Sequence, residues 1–220
     1  MIDIEGLEFA YREGDFRLRV PGLHVPAAEK LAVIGPSGAG KTTLLALIAG
    51  ILTPTAGRVF VGREDVCAMT DRGRRLFRSA QVGFIFQDFR LLDYLSAMDN
   101  ILHPYRISRA LTLDGSVHAR ARTLASRMGI AALLERRPDR LSQGEKQRTA
   151  ICRALMTSPR LILADEATGN LDPATKHQIL DLLFEAVAAE GATLVAVTHD
   201  HELLPRFDRT VDFADFTPGP

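Results

Sequence analysis

Gly35-Pro36-Ser37-Gly38-Ala39-Gly40-Lys41-Thr42 is entered from the apolar run Lys30-Leu31-Ala32-Val33-Ile34 and left through a helix-like run, Thr43 to Ala49. This stretch decides the fold. The octet fits the pattern G-x-x-x-x-G-K-[ST]. Its glycines let the backbone turn tightly and turn N–H groups toward an anion. The helix behind it aims its positive end at the same point. Lys41 adds a cation for β- and γ-phosphates, and the Thr42 hydroxyl suits the shell of a bound Mg²⁺. The strand before and the helix after separate a phosphate-binding loop from a plain glycine-rich turn.

Working outward, further apolar runs alternate with helical patterns: Arg58-Val59-Phe60-Val61, Val82 to Phe86, Leu161 to Ala164 and Thr193 to Val197. That alternation is an α/β signature, and the fully apolar runs suit strands buried on both faces. The start differs. Ile2, Ile4, Leu7 and Phe9, then Phe16, Leu18 and Val20, alternate with polar positions, as half-exposed antiparallel strands do. From about 97 to 135, Ala, Arg and Leu dominate, and a helical insert is expected. Asp172 and Pro173 can cap and start a helix reaching Glu190, with Ile179, Leu180, Leu183, Phe184 and Val187 on its apolar stripe.

Leu161 to Ala164 runs straight into Asp165 and Glu166. An acid at the end of a buried strand needs a partner, or else it is a solvated strand end. With a phosphate loop upstream, Asp165 is expected to hold Mg²⁺ through water, and Glu166 to polarise a water that attacks the γ-phosphate.

Composition narrows the field. Lys+Arg and Asp+Glu are 27 each, so the net charge is zero, against the basic excess of proteins that coat nucleic acid. At 46% hydrophobic and 25% charged, the chain is ordinary globular material rather than disordered. The longest uncharged stretch after Lys41, Thr42 to Gly57, is too short and too rich in Thr, Gly and Pro to span a membrane. The start, MIDIE, carries acids where a signal peptide carries positive charge. Cys67 and Cys152 lie far apart and read as reduced thiols. The histidines have no metal-ligand spacing; His199 and His201 would diverge on a helix.

Leu141-Ser142-Gln143-Gly144-Glu145 fits an ordinary capped helix start, with Ser142 and Glu145 as a capping box. It also resembles the signature motif of ABC-type ATPases, in a similar order and spacing before Asp165. Tyr11 resembles the aromatic that stacks on adenine in that family. Gln87 resembles the glutamine that reaches Mg²⁺ and the water, Gly169-Asn170-Leu171-Asp172 the loop that crosses to the partner subunit, and His199 the switch histidine at the γ-phosphate.

The resemblance implies an α/β fold: a P-loop NTPase core with a mainly parallel sheet, an N-terminal antiparallel β subdomain and an inserted α-helical subdomain. One domain, 1–220, would divide into 1–87 plus 158–220 as the core and 88–157 as the helical part carrying the signature. It implies an ATP hydrolase using Mg²⁺. ATP would lie on Tyr11 and Gly35, Pro36, Ser37, Gly38, Ala39, Gly40, Lys41, Thr42 and Thr43. Thr42, Gln87 and Asp165 would hold the metal, while Lys41, Gln87, Glu166 and His199 would act in hydrolysis. A second copy, head to tail, would close the site with Ser142, Gln143, Gly144, Glu145 and Asp172. The motor would drive an integral membrane permease subunit, with no nucleic acid involved. It would sit peripherally on the cytoplasmic face of the inner (plasma) membrane and be soluble when isolated.

Two positions depart from the pattern. Gln143 stands where Gly is usual, which crowds the partner's phosphates and is expected to slow turnover; Ala167 stands where Pro is common. Phe86 to Leu92, Ala97 to Ile101 and Asp165 to Asp172 resemble the lipoprotein-release, macrolide-export and cell-division group. Mechanical signalling through a membrane protein, and import, stay open as alternatives to export. A soluble non-transport NTPase is disfavoured, for repair-type relatives carry coiled-coil inserts or zinc cysteines. Phe89, Leu91, Leu92 and Tyr94 are candidates to dock the membrane partner or to fill the core of the helical insert. The basic run Arg72, Arg74, Arg75 and Arg78 is expected to be a solvated face, with lipid headgroups or the partner as the other reading.

Overall fold

The computed structural model describes residues 1–13, 16–169 and 171–216. In chain order the main elements are β1 (Ile2–Ala10), β2 (Arg17–Val25), β3 (Lys30–Ile34), α1 (Lys41–Ile48), β4 (Ala56–Val61), β5 (Glu64–Asp65), α2 (Asp71–Gln81) and β6 (Val82–Ile85). There follow α3 (Ala97–Ile107), α4 (Gly115–Arg127), α5 (Gln143–Leu155), β7 (Leu161–Asp165), α6 (Pro173–Glu190), β8 (Thr193–Val197) and β9 (Arg209–Asp212). Two sheets result, one antiparallel in the order β2-β1-β4-β5 and one parallel in the order β6-β7-β8-β3-β9.

The antiparallel sheet buries Ile2, Ile4, Leu7 and Phe9 on one face. The step from Ile4 to Leu7 breaks a strict two-residue period. The break coincides with a register shift against β4 between Glu5 and Glu8, where Gly6 takes a φ of 55°. An extra residue at a bulge returns the next side chain to the core face. The run Arg58 to Val61 belongs to this sheet and not to the parallel one. Arg58 is exposed while Val59 and Val61 are buried, which is one-faced burial.

The parallel sheet is a partition between two cores. Leu161 and Leu163 of β7 share an apolar cluster with α1 and the antiparallel sheet. Ile162 and Ala164, pointing the other way, join a cluster with α3, α4, α5 and α6. A strand that must be apolar on both faces is the reason those runs lack alternation. Cys152 lies in the second cluster, and burial pushes its thiol up to about 12; both cysteines are free thiols.

Helix α6 starts as its sequence dictates. Asp172 accepts a hydrogen bond from the Thr175 N–H at 3.0 Å, and Gly191 ends the helix with a φ of 61°. Helix α2 is a finding of the structure, because four arginines mask its single apolar anchor, Phe77. The expected solvated face is only half correct. Arg72 and Arg75 are exposed, but Arg74 donates to the Met69 carbonyl at 2.8 Å and Arg78 to the Gly50 carbonyl at 2.7 Å.

Gly83 sets how close β6 lies to α5. A Cβ there would press into the Ala154 carbonyl and the Ile162 side chain. Gly83→Ala is therefore expected to cost about 1–3 kcal/mol of stability through overpacking. Urea denaturation checks this, and an unchanged midpoint would refute the contact.

Candidate functional site

Strand β3 ends at the head of the glycine loop. Gly35, Gly38 and Gly40 have φ values of 143°, 79° and 107°, which side-chain-bearing residues rarely adopt. At two of them space matters as well. A Cβ on Gly35 would lie 2.7 Å from the Cβ of Phe213, and one on Gly40 would lie 2.5 Å from the Cζ of Phe16. Gly40 is also the N-cap of α1 and offers no side-chain cap, so the first turn keeps N–H groups for an anion.

Lys41 is buried, and its Nζ donates to the Gly35 and Pro36 carbonyls, each at 2.7 Å. Thr42 Oγ1 donates to Asp165 Oδ2 at 2.9 Å. Thr43 Oγ1 and the Tyr11 hydroxyl are hydrogen-bonded at 3.1 Å. Tyr11 is held edge-on to Phe9 at 4.9 Å and stays 45% exposed, a half-open aromatic face beside the loop.

Asp165 and Glu166 close β7. Burial raises the Asp165 pKa, the Thr42 hydrogen bond opposes that, and the neighbouring Glu166 charge adds to it. Glu166 has a φ of 47°, and its N–H donates to the Val197 carbonyl at 3.0 Å. Its carboxylate stands 3.3 Å from His199 Nδ1. Glu166 Oε2 and Gln87 Nε2 both approach the Cα side of Gly169, at 3.5 and 3.6 Å from where a Cβ would sit. Four of the expected residues, Gln87, Asp165, Glu166 and His199, thus gather at the C-terminal ends of parallel strands, with the loop beside them.

The Ser142 segment forms a separate hollow. Ser142 caps α5, with the Ser142 N–H donating to Glu145 Oε2 at 2.7 Å and the Glu145 N–H to Ser142 Oγ at 3.3 Å. The first of these bonds holds the Glu145 carboxyl below the usual range. A concavity of about 500 Å³ is lined by Ser142, Gln143, Gly144, Glu145, Asp172 and Thr175 among others, and by no residue of the glycine loop. Asn170, expected in the crossing loop, lies outside the described residues.

The four docking candidates do not form one surface. Phe89 is 8% exposed, Leu91 and Leu92 are half-buried, and Tyr94 is 71% exposed. Phe16 and Phe213, which wall in the loop, had no distinguishing mark in the sequence, for they meet it only through the tertiary fold. The Lys176–Asp200 pair beside His199, at 2.8 Å, was equally invisible.

A family model described as ABC transporter matches residues 18–169, most of the chain. The chain belongs to the ABC transporter family. It is an ATP-binding, ATP-hydrolysing unit with the ABC cassette fold. Among curated ABC relatives, the lipoprotein-releasing system ATP-binding protein LolD of Cereibacter sphaeroides (strain ATCC 17023) is 44% identical over 96% of this chain and 95% of its own length. The LolD of Jannaschia sp. (strain CCS1) is 46% identical over 88% of this chain and 85% of its own. The macrolide export ATP-binding/permease protein MacB of Rhodopirellula baltica is 40% identical over 98% of this chain, which spans only 32% of that relative. Among solved ABC structures, a dimeric ATP-binding cassette in a post-hydrolysis state, bound to ADP and Pi, has a TM-score of 0.86 at 29% identity, covering 96% of this chain and 94% of the other.

The raised pKa of Asp165 carries a stability consequence. A carboxyl raised on folding favours the fold below its unfolded pKa and loses that contribution as pH rises through the folded value. At neutral pH the ionised Asp165 is therefore a burden on the ligand-free fold. Asp165→Asn is expected to have the higher Tm at pH 7, with the gap closing as pH falls below the carboxylate range. Thermal melts across that series check it; a variant less stable at pH 7 contradicts the assigned cause.

Proposed function

We propose that this ABC ATPase is the motor subunit of a lipoprotein-release or export system, working as a head-to-tail pair on a separate membrane subunit. The observation that carries this reading is the separation of two half-sites in one chain. The glycine loop, Gln87, Asp165, Glu166 and His199 form one half, while Ser142 to Glu145 with Asp172 line the other. A second copy brings the missing half to each. The dimeric state of the structural relatives and the LolD and MacB names of the sequence relatives support it. The stretch 88–157 acts as the helical subdomain and the remainder as the core. Among the described residues no helix is long and apolar enough to cross a membrane. In the proposed system the membrane subunit supplies the span and this chain sits peripherally on its cytoplasmic side.

ATP lies along Gly35 to Thr43 with its adenine on Tyr11. The donors around Asp165 suit Mg²⁺: a hydroxyl, a carboxylate and an amide oxygen are hard ligands, and Thr42 and Asp165 already meet at 2.9 Å. Thr42, Asp165 and Gln87 would hold the ion, which when bound would neutralise charge on the β- and γ-phosphates. Lys41 leaves its loop carbonyls for the phosphates. Glu166 orients and polarises the attacking water as general base, and His199, 3.3 Å away, fixes the carboxylate and meets the γ-phosphate. Ser142 and the open amides of α5 reach the γ-phosphate of the partner's ATP. Gln143 puts a longer side chain than glycine at that contact and lowers turnover.

Glu166→Gln keeps the shape of the site and removes the base. It is expected to accumulate an ATP-bound dimer in gel filtration with ATP and Mg²⁺, and a purely monomeric profile would overturn the paired mechanism. Lys41→Ala is expected to reduce hydrolysis by about a hundredfold or more, measured as phosphate release. Unchanged turnover would remove the loop from the site.

A further inference from the structure

Strand β8 ends at Val197, and the chain turns through Thr198, His199 and Asp200 into a short 3-10 helix, His201–Arg206. Thr198 is buried, and its N–H donates to the Val33 carbonyl at 3.1 Å. The sheet thus fixes the near side of His199. The far side is held by side chains. The His199 side chain is 62% exposed, so packing does little to place the ring, and its 3.3 Å contact with Glu166 depends on the course of this turn.

Asp200 gathers the turn. Its N–H donates to Thr198 Oγ1 at 3.1 Å, and its Oδ1 accepts the Glu202 N–H at 3.2 Å, which caps the short helix. Its other carboxylate oxygen, Oδ2, accepts from Lys176 Nζ at 2.8 Å. The side chains of Lys176 and Asp200 are only 23% and 15% exposed. A pair this enclosed is exacting, because either charge left alone is poorly solvated. The Lys176 bond is also the foremost cause that holds the Asp200 carboxyl below the usual range, so the carboxylate is ionised at neutral pH.

Lys176 belongs to the other half-site's helix. It lies in the first turns of α6, where its N–H donates to the Asp172 carbonyl at 2.9 Å, and Asp172 lines the hollow at Ser142. A second ion pair, Arg206 with Asp181, joins the same two elements farther along, beside Phe184 set edge-on to Phe207 at 5.1 Å. The Asp181 side chain is 56% exposed, and exposed pairs contribute little. Both pairs staple α6 to the stretch after β8, but Lys176 reaches the residue next to His199, while Arg206 stands at the far end of the short helix.

We propose that Lys176 is a positioning residue for His199: by holding Asp200, it ties the turn that carries the histidine to the start of α6, behind Asp172. This rests on the reading of His199 as the residue that meets the γ-phosphate in an ABC motor, and adds what places it. Without the ammonium the Asp200 carboxylate turns to water, the turn loosens and His199 leaves Glu166. The pair lies outside the glycine loop, so its loss falls on the rate of hydrolysis rather than on ATP binding.

The test uses the full chain. Lys176→Met keeps a long stem and removes the charge. Its kcat for phosphate release is expected to fall about tenfold or more, with KM for ATP held within about twofold. Lys176→Arg can still donate to Asp200 and is expected to keep most of the rate. Asp181→Asn opens the outer pair and is expected to leave kcat as it was, which separates positioning from general stapling. In histidine side-chain NMR of the ligand-free protein, the His199 signals, assigned with His199→Ala, are expected to shift or broaden in Lys176→Met but not in Lys176→Arg, with those of His24, His103 and His118 unmoved. Unchanged His199 signals in Lys176→Met overturn the proposal. So does a loss that falls on KM, or an equal loss of kcat in Asp181→Asn, either of which makes the pair a plain structural staple. Should Lys176→Met fail to fold, Asp200→Asn decides: it keeps an oxygen for Glu202, removes the charge that Lys176 meets, and is expected to lower kcat with KM held, an unchanged kcat overturning the proposal. The NMR comparison needs neither turnover nor a second copy, so failure here is distinct from failure of the motor reading, which phosphate release and the Glu166→Gln dimer decide.

Discussion

Two phenylalanines pressed against two glycines hold the glycine loop in place. Phe16, leading into the antiparallel sheet, closes on Gly40, and Phe213, just past β9 at the edge of the parallel sheet, closes on Gly35. The glycine loop is where the sheets meet, and its curvature is fixed by contacts from both. A methyl group at Gly40 would meet the half-buried Phe16 ring and one at Gly35 the Cβ and backbone of Phe213, so either would have to shift its neighbour or the loop. The constraint therefore links global fold to local chemistry. Only when both sheets are assembled do the loop amides, Lys41 and Thr42 stand where Thr42 can reach Asp165 at the end of β7.

The parts of the fold that the residues announce are those with a local cause. The glycine loop, the cap of α6 at Asp172 and the capping box at Ser142 each depend on neighbours a few positions apart, and each is found as expected. The parts that escape depend on distant partners. Arg58 to Val61 looks like the core strands until the exposure of Arg58 puts it in the other sheet. Helix α2 hides behind arginines, because only Phe77 marks its inner face. Phe89 and Arg90 both have positive φ, at 56° and 47°, a turn that Arg153 secures from 63 or more residues away through their carbonyls. No pattern within that segment could have revealed it. The candidate site follows the same rule. Its residue types and order were legible, whereas the contacts that hold Glu166 to His199 and Tyr11 to Thr43 come only from the assembled chain.

The α5 N-terminus illustrates how a structural and a functional reading coexist in the same atoms. Ser142 and Glu145 satisfy each other and start the helix, as any capping box does. Gln143 and Gly144, in the first turn behind those bonds, line the hollow shared with Asp172 and Thr175. A motif that stabilises its own helix stays ordered on its own, as the proposed pairing with a second chain would require. That is why the isolated chain shows a tidy helix end where the paired molecule would have half of its chemistry.

Lys41 gives the loop a thermodynamic character of its own. With its ammonium already donating to Gly35 and Pro36, the side chain is ordered before any phosphate arrives, so little conformational entropy is lost on binding. On the proposed reading, the same two bonds would be surrendered as the phosphates take them over. Association at this residue is thus an exchange of hydrogen bonds rather than a gain. On the proposed reading its enthalpy would be muted and the rest of the affinity would come from the loop amides and the helix end, of which the Ala39 N–H already donates to the Pro36 carbonyl at 3.3 Å.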